Sequence, residues 1–298
     1  MIGNIRPDGS FVKSYKTKTS VRLGEGGITT NRIVPEAFER GVETLKSYKQ
    51  MMVRHNVQKI YAYGTAALRS AENSEDFIDE VYDATGISIK IISGEEEAEL
   101  ICHGVWEALS IGNTPALIID IGGGSNEFIL ADDEKIIYKG SFNIGVARLM
   151  EQFKPSDPIK PEEISIIEGF LREELQSLFE ALKPFKTDTI IGSSGSFDTF
   201  AEMIAYRFYS LETLKGRTEY NIDLHDFHQI HTQLLISTFE ERLHTKGIIR
   251  MRADMIVLAS VFVNFMIREL EVKNLRISTY ALKEGALAKI IYQMGYRS

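Results

Sequence analysis

Short apolar segments alternate with amphipathic helical segments along this chain, and several of the apolar segments end in a glycine-rich or serine-rich turn. Residues 59–63, 87–93 and 116–120 have the length and composition of strands, whereas residues 74–86 and 95–109 show helical spacing of their apolar side chains. This alternation predicts an α/β fold in which helices cover a largely parallel sheet.

A chain of 298 residues is long enough for two domains, each with its own core. The polar turn Asn113-Thr114-Pro115 separates two α/β patterns, so we predict domains at residues 1–114 and 115–298. In the second domain we expect strands at residues 127–130, 135–142 and 189–191, and one long helix over residues 164–182. The last third should be mostly helical, with one strand near residues 275–278.

The charge balance excludes some classes of function. The chain has 34 Lys and Arg against 42 Asp and Glu, a net charge of −8, which disfavours general nucleic-acid binding. The net charge does not exclude a polyanionic substrate, provided that basic side chains and backbone amides converge at one site. Cys102 is the one cysteine, which indicates a reducing compartment, the cytoplasm. The apolar stretch at residues 255–267 is shorter than the ~20 residues that span a bilayer, so we predict a buried helix and no membrane segment.

The strongest local signal is DIGGGSNEF at residues 120–128. Asp120 ends a buried strand, a tight glycine turn follows, and Glu127 is a second carboxylate. Glycine amides can surround a phosphate oxygen, and a carboxylate at a strand end can hold Mg²⁺. The alternative is a glycine-rich β-hairpin in which Asp120 is a turn residue.

Two further segments are weaker signals. Residues 93–100 (SGEEEAEL) place four carboxylates at a helix start, where capping and solubility explain most of them. A single carboxylate held beside Mg²⁺ or phosphate would instead orient an attacking water. Residues 192–196 (GSSGS) follow a strand and would bind another phosphate or make a plain turn.

Basic and histidine side chains leave alternatives open. Arg69 would clamp phosphate, or be a solvated surface residue. The same pair of alternatives applies to four candidates for the wall of a basic channel, Lys246, Arg250, Arg252 and Lys283. A third set, His225, His228 and His231, steps by three along a predicted helix, which favours a polar helix face over a metal site.

Six motifs in order carry a family resemblance: RLGEG at 22–26, GTAALR at 64–69, SGEEEAEL at 93–100, DIGGGSNEF at 120–128, GSSGS at 192–196 and LKEG at 282–285. Over nearly its whole length the chain resembles the exopolyphosphatase and guanosine pentaphosphate phosphatase (Ppx/GppA) family. The resemblance implies a two-domain actin-like, ribonuclease-H-like fold with the active site in the cleft between the domains.

The resemblance also implies residue roles. Glu97 would orient or deprotonate the water that attacks the terminal phosphorus, and Glu127 would assist that water or the metal. Asp120 would hold Mg²⁺, and Arg69 would steady the phosphate chain. The phosphate-binding amides would be those of Gly122, Gly123, Gly124, Ser125, Asn126, Ser194, Gly195 and Ser196.

The chain departs from the family pattern at three places. Members begin with a strand and a hairpin of the form Asp-x-Gly-Ser/Thr-Asn-Ser/Thr, which is not found in this sequence. We therefore expect the first domain to lack a central strand and one metal-facing carboxylate, and we expect the true start to precede Met1. The usual Leu-Arg-Glu-Gly has Lys283 in place of Arg, and Ser196 replaces a Thr.

The expected activity is Mg²⁺-dependent hydrolysis of terminal phosphate from inorganic polyphosphate, with guanosine pentaphosphate as the second candidate substrate. The alternative is a member of the family that binds polyphosphate or nucleotide with impaired or no turnover. A third alternative, an actin-like or sugar-kinase-like ATPase, is disfavoured by SGEEEAEL. The resemblance also allows a homodimer.

Overall fold

The computed structural model describes residues 1–185 and 187–295, and the chain divides into two compact units. Unit 1 comprises Met1–Ser93 and the segment from Leu287 onward, and unit 2 comprises Gly94–Ala286. The elements of unit 1 are β1 (Ile2–Ile5), β2 (Phe11–Tyr15), α1 (Pro35–Arg54), β3 (Ala62–Gly64), α2 (Ala66–Ser70), α3 (Ser74–Thr85) and β4 (Ile89–Ile91).

Unit 2 begins with a helix, and a six-stranded sheet forms its centre. Its first elements are α4 (Gly94–Ala108), β5 (Ala116–Ile121), β6 (Asn126–Ala131), β7 (Ile136–Phe142), α5 (Val146–Phe153), α6 (Pro161–Glu174) and α7 (Gln176–Leu182). These are followed by β8 (Thr189–Ser193), α8 (Gly195–Phe208), β9 (Glu219–Ile222), α9 (Leu224–Ile236), α10 (Phe239–His244), α11 (Ile256–Glu269), β10 (Asn274–Ser278) and α12 (Leu282–Gln293). Two 3₁₀ turns, Leu211–Leu214 and Arg250–Arg252, lie between these elements.

The sheet of unit 2 has the strand order β7-β6-β5-β8-β10-β9. β5, β6 and β7 form an antiparallel meander, β8 and β10 continue parallel to β5, and β9 closes the edge antiparallel to β10. Every residue of β5 and β6 is buried, because helices cover both faces. α4 packs on one face, and α5, α6, α8, α9 and α11 contribute to the larger core on the other.

Local sequence explains where several helices begin and end. Pro35 occupies the first turn of α1, where its missing N–H costs nothing. Gly86 ends α3 in the left-handed conformation with φ +67°. α11 is apolar on nearly all sides and buried, as the sequence of residues 255–267 predicts. In the described part of the chain, no helix is long and apolar enough to cross a bilayer.

Three sequence-based expectations about the elements differ from the structure. The unit boundary lies after Ser93 rather than after residue 114, because α4 packs against β6 and β7 of unit 2. The predicted helix over residues 164–182 is two helices, α6 and α7, which meet at Leu175. β9 was not predicted; it is a short edge strand whose residues alternate only weakly between buried and exposed.

The strands of unit 1 form two separate two-stranded sheets, antiparallel β1–β2 and parallel β3–β4. The apolar core of unit 1 is formed by α1, α2 and α3 with β3 and β4. Among the described residues of unit 1, the β3–β4 sheet contributes to this core and the β1–β2 hairpin does not.

α4 is held in place by a close contact with the start of α12. A Cβ at Gly285 would collide with the carbonyl oxygen of Leu100, and a Cβ at Gly104 would collide with that of Ala281. Two glycines therefore allow the backbones to approach within a distance that side chains forbid. The glycine of the LKEG motif has this packing role.

Candidate active site

A row of polar side chains crosses four neighbouring strands of the unit 2 sheet. Asp120 on β5 pairs in register with Glu127 on β6 and with Ser193 on β8, and Glu127 pairs with Ser141 on β7. Residues opposite each other on adjacent strands point to the same face. The sheet therefore brings two carboxylates and two hydroxyls together on the face that α4 covers.

Asp120 is the carboxylate at the carboxyl end of β5. Its side chain is 8% exposed, and the Ser193 hydroxyl donates a hydrogen bond of 3.1 Å to Oδ2. Burial raises the pKa of Asp120 to about 6, and the charges of Glu97 and Asp198 add to this increase. Asp120 is thus a desolvated carboxylate in a negative environment.

Glu127 is more deeply buried, with 1% of its surface exposed. The hydroxyls of Ser125 and Ser141 donate hydrogen bonds of 2.6 and 2.7 Å to the same oxygen, Oε1. Burial raises the pKa of Glu127 to about 8, and the charges of Glu97 and Asp120 contribute to the increase. The two serine hydrogen bonds lower the pKa, but they do not offset the burial.

Glu97 lies in the first turn of α4 and is 8% exposed, whereas Glu95 in the same turn is exposed. The charge of Glu97 raises the pKa of both Asp120 and Glu127. Helix capping accounts for acidic residues at this helix start, but it does not require one of them to be buried beside two other carboxylates. Burial beside Asp120 and Glu127 therefore distinguishes Glu97 from the exposed Glu95 in the same motif.

The glycine turn between β5 and β6 presents two amides with no internal acceptor. The amide of Gly122 donates to the carbonyl of Ser125 at 3.1 Å and closes the turn. Over the residues that the structure describes, the amides of Gly123 and Gly124 donate no hydrogen bond, while their carbonyls accept from residues at the start of α5. Of the predicted glycine amides, those of Gly123 and Gly124 are the ones without an acceptor among the described residues.

The side chains that follow the glycines point in opposite directions. Ser125 uses its hydroxyl to hold Glu127. Asn126 lies on the other face of the sheet, where its Nδ2 donates to the carbonyl of Ile144 at 3.3 Å. Asn126 Oδ1 is buried and has no hydrogen-bond partner within the described residues. The side chain of Asn126 therefore supports the turn from the far face of the sheet.

The loop after β8 brings a helix start next to the end of β5. Ser194 has φ +78°, and its hydroxyl donates to the carbonyl of Ile121 at 3.0 Å. The amides of Gly195 and Ser196 are in the first turn of α8, where the helix provides no acceptor. Such amides and the positive end of the helix dipole favour an anion.

The model of the Ppx/GppA phosphatase family matches residues 6–293 of this chain. The chain belongs to the Ppx/GppA phosphatase family. Among curated relatives, Exopolyphosphatase 1 of Mycobacterium tuberculosis (strain H37Rv) is 25% identical over 277 residues, 92% of this chain and 79% of the relative. Exopolyphosphatase 2 of the same strain is 27% identical over 278 residues, 89% of this chain and 85% of the relative.

Solved structures of the family have the same fold. An exopolyphosphatase from Cytophaga hutchinsonii is 36% identical with a TM-score of 0.87, and the match covers 93% of this chain and 89% of that one. The Aquifex aeolicus family member is 24% identical with a TM-score of 0.77, covering 98% and 92%. The predicted fold class, α/β of the actin-like, ribonuclease-H-like type, is confirmed.

Other residues singled out by the family resemblance or by their chemistry have local partners. Arg69 lies in unit 1, where its Nη1 donates to the carbonyl of Ile92 at 3.2 Å. Lys283, which replaces the usual Arg of the family, makes an ion pair of 3.0 Å with Glu284. His231 is buried against Ser260. Cys102 is buried, and burial raises the pKa of its thiol to about 12, so it is unreactive.

Sequence reasoning missed the Ser141 hydroxyl that hydrogen-bonds Glu127, and it did not connect Ser193 of the GSSGS motif with Asp120. Their position follows from strand register, which one sequence does not reveal. It also missed Arg148, which is half-buried beside the glycine turn and donates from Nε to the carbonyl of Gly124 at 3.4 Å. Arg148 could have been found from its place in segment 145–148, which follows β7 and begins a helix.

The side chains at this site include oxygen donors of the kind that the expected metal, Mg²⁺, prefers. Asp120 and Glu127 are hard oxygen donors, and burial, followed by the charges of neighbouring carboxylates, raises the pKa of both; a bound cation would favour their charged forms. Within the described residues no group of three or more His, Cys, Asp or Glu side chains is arranged to hold a metal ion. Mg²⁺ is usually bound by only one or two carboxylates together with water and substrate phosphate, so two donors are enough.

Proposed function

We propose that this protein hydrolyses the terminal phosphoanhydride bond of inorganic polyphosphate and requires Mg²⁺. The observation that carries the proposal is the buried group of Glu97, Asp120 and Glu127 beside two sets of amides that lack internal acceptors. Membership in the family and relatives named exopolyphosphatase support the substrate class. Guanosine pentaphosphate, which carries the same kind of bond, is the second substrate to test.

In the proposed mechanism, amides bind and orient the terminal phosphate. Those of Gly123 and Gly124 and those at the start of α8 would donate to its oxygens, so the phosphorus is positioned for in-line attack. Asp120 and Glu127 would hold Mg²⁺, which when bound neutralises phosphate charge. Ser193 and Ser141 keep the two carboxylates oriented.

Glu97 would accept a proton from the attacking water. The water oxygen bonds to the terminal phosphorus, the anhydride P–O bond breaks, and the shortened polyphosphate leaves with the bridging oxygen. The proton passes to Glu97 and then to solvent. General-base assistance of this kind makes the water oxygen a better nucleophile during the attack.

The test is phosphate release from polyphosphate by the wild type, by Glu97→Gln and by Glu95→Gln. We expect Glu97→Gln to lower the rate at least ~100-fold, since a positioned general base contributes this much. The matched control Glu95→Gln changes an exposed acid in the same helix turn and should retain wild-type turnover. Equal rates for the two variants would contradict the role of Glu97.

Isotope labelling distinguishes hydrolysis from the other candidate activities. In ¹⁸O water, hydrolysis predicts one solvent oxygen in each released phosphate. Binding of polyphosphate without release would favour the non-catalytic alternative, and faster turnover of ATP than of polyphosphate would favour an ATPase. Cytoplasmic localisation and formation of a homodimer remain predictions from the sequence.

A further inference from the structure

The segment that follows α10 runs along α8 in the opposite direction. At its outer end, Lys246 places its Nζ 6.0 Å from the centroid of the Tyr206 ring, in the last two turns of α8. Gly247 follows with φ +91°, and a Cβ there would lie 2.6 Å from the amide nitrogen of Met203. The backbone of the segment therefore lies directly against the helix.

The inner end of the same segment reaches the first turn of α8. Arg252 donates from Nη1 to the hydroxyl of Thr199 at 2.7 Å. A Cβ at Gly195 would collide with the Arg252 guanidinium, so this arginine covers the loop whose amides are proposed to bind phosphate. The segment thus extends from the loop at residues 194–196 to the carboxyl end of α8.

A groove of about 380 Å³ lies at the outer end. Arg207 and Lys246 line it together with the ring of Tyr206 and the amide of Gln233. Arg207 is held by a hydrogen bond of 2.6 Å from Nη1 to Gln233 Oε1 and by its position over the ring of Phe208. Two cations therefore border a groove that is also lined by the apolar side chains of Met203 and Ile230.

Arg207 and Lys246, at the outer end of the segment, differ from Arg252 in their acidic neighbours. Burial lowers the pKa of Arg252, and the nearby carboxylates of Asp198 and Glu202 oppose that shift. Among residues 1–185 and 187–295, Arg207 and Lys246 form no ion pair, and both are exposed. In a chain of net charge −8, two neighbouring cations without an acidic partner leave a locally positive groove for an anion.

We propose that Arg207 and Lys246 bind the distal phosphates of a polyphosphate chain whose terminal phosphate lies at Ser194, Gly195 and Ser196. Arg207 lies twelve positions after Gly195, about 18 Å along the helix, so a short anion at the loop does not reach the groove. A repeating polyanion can occupy both positions. The inference rests on the proposed function and adds a preference for long chains.

Binding without turnover tests this proposal. The protein in a chelator is titrated with tripolyphosphate and with long-chain polyphosphate, and the double variant Arg207→Gln, Lys246→Gln is compared with the wild type. We expect the variant to bind long chains about tenfold more weakly, since charge-assisted contacts are lost, and tripolyphosphate within twofold of the wild type. The dependence of long-chain affinity on salt should also become less steep.

A matched double variant controls for net charge. Arg54→Gln, Lys135→Gln removes one exposed arginine and one exposed lysine elsewhere in the chain and should leave both affinities unchanged. Equal weakening in both double variants, or equal loss for short and long chains, would overturn the outer site. A wild type that binds both lengths equally well would overturn it too.

Failure of the outer site and failure of the proposed function are distinguishable. If the wild type released no phosphate from any polyphosphate with Mg²⁺ present, the proposed hydrolysis would be wrong, while the binding experiment would still decide the role of Arg207 and Lys246. If turnover occurred but the affinity for long chains did not depend on these residues, only the outer site would be wrong.

Discussion

Glu127 is a carboxylate in the middle of a sheet, hydrogen-bonded to two serine hydroxyls and close to two other acidic groups. Its pKa of about 8 means that the folded protein binds a proton there that the unfolded chain, with a pKa near 4.5, has released at neutral pH. The stability contributed by this group therefore falls as pH rises from 4.5 to 8. The carboxylate proposed to act in phosphate chemistry thus lowers the free energy of unfolding at neutral pH and above.

Glu127→Gln should stabilise the protein and reduce its activity. The amide keeps an oxygen for Ser125 and Ser141 and removes the charge, so we expect a gain of about 1–2 kcal/mol at pH 8 in a chelator and a smaller gain at pH 5. Urea unfolding at both pH values measures this. Glu134→Gln, at an exposed site, should change neither value. A gain that did not depend on pH would contradict the charge argument.

His231 gives the opposite pH dependence. Burial lowers its pKa to about 4, with Nδ1 3.1 Å from Ser260 Oγ, whereas the unfolded histidine titrates near 6.5. The unfolded state binds more protons between these values, so stability should fall by about 2 kcal/mol as pH drops from 6.5 to 4. His231→Gln should lose less across the same interval. Parallel curves for the two proteins would show that another group is responsible.

The contact between α4 and α12 positions an element that carries Glu97. Because Gly285 has no room for a methyl group beside Leu100, Gly285→Ala should force the helices apart. We expect a loss of about 1–3 kcal/mol in unfolding free energy, together with slower phosphate release because Glu97 moves with α4.

Gly169→Ala is the matched control for this change. Gly169 is inside α6, and a Cβ added there would have no other atom within 4 Å, so alanine should stabilise by about 0.5–1 kcal/mol. Thermal unfolding and turnover of both variants separate the effect of crowding from that of helix propensity. Normal turnover in Gly285→Ala would show that α12 does not control the position of Glu97.

The elements of this fold differ in how much their sequence reveals. β5, β6 and α11 are predominantly apolar, and α3 ends at a glycine, so local pattern predicts them well. The break between α6 and α7 and the edge strand β9 depend on tertiary packing. In the site, Asp120, Ser125 and Glu127 follow from one motif, whereas Ser141 and Ser193 come from strands whose register the sequence does not specify.

At the scale of the whole molecule, the two units differ in how their strands are stabilised. β5 and β6 are buried on both faces, but no residue of β1 or β2 is buried, and β3 and β4 are three residues each. A hairpin without a buried face is marginally stable. We therefore expect the units to differ in local stability.

Amide hydrogen exchange tests this difference. The amides of Ile2–Ile5 should exchange at least ~100-fold faster than those of Ala116–Ile121, because opening the hairpin exposes little apolar surface. Mass spectrometry of peptides from the two strands measures the rates under one set of conditions. Similar protection in both strands would mean that the hairpin opens only when the whole chain unfolds.

The row formed by Ser141, Glu127, Asp120 and Ser193 has a consequence for how such a protein changes during evolution. The ladder of backbone hydrogen bonds fixes the spacing of these side chains, and the loops that join the strands do not. We expect insertions in the turn at residues 132–135 to leave the row in place. Descendants can therefore rebuild the surroundings of a substrate while the reacting groups keep their geometry.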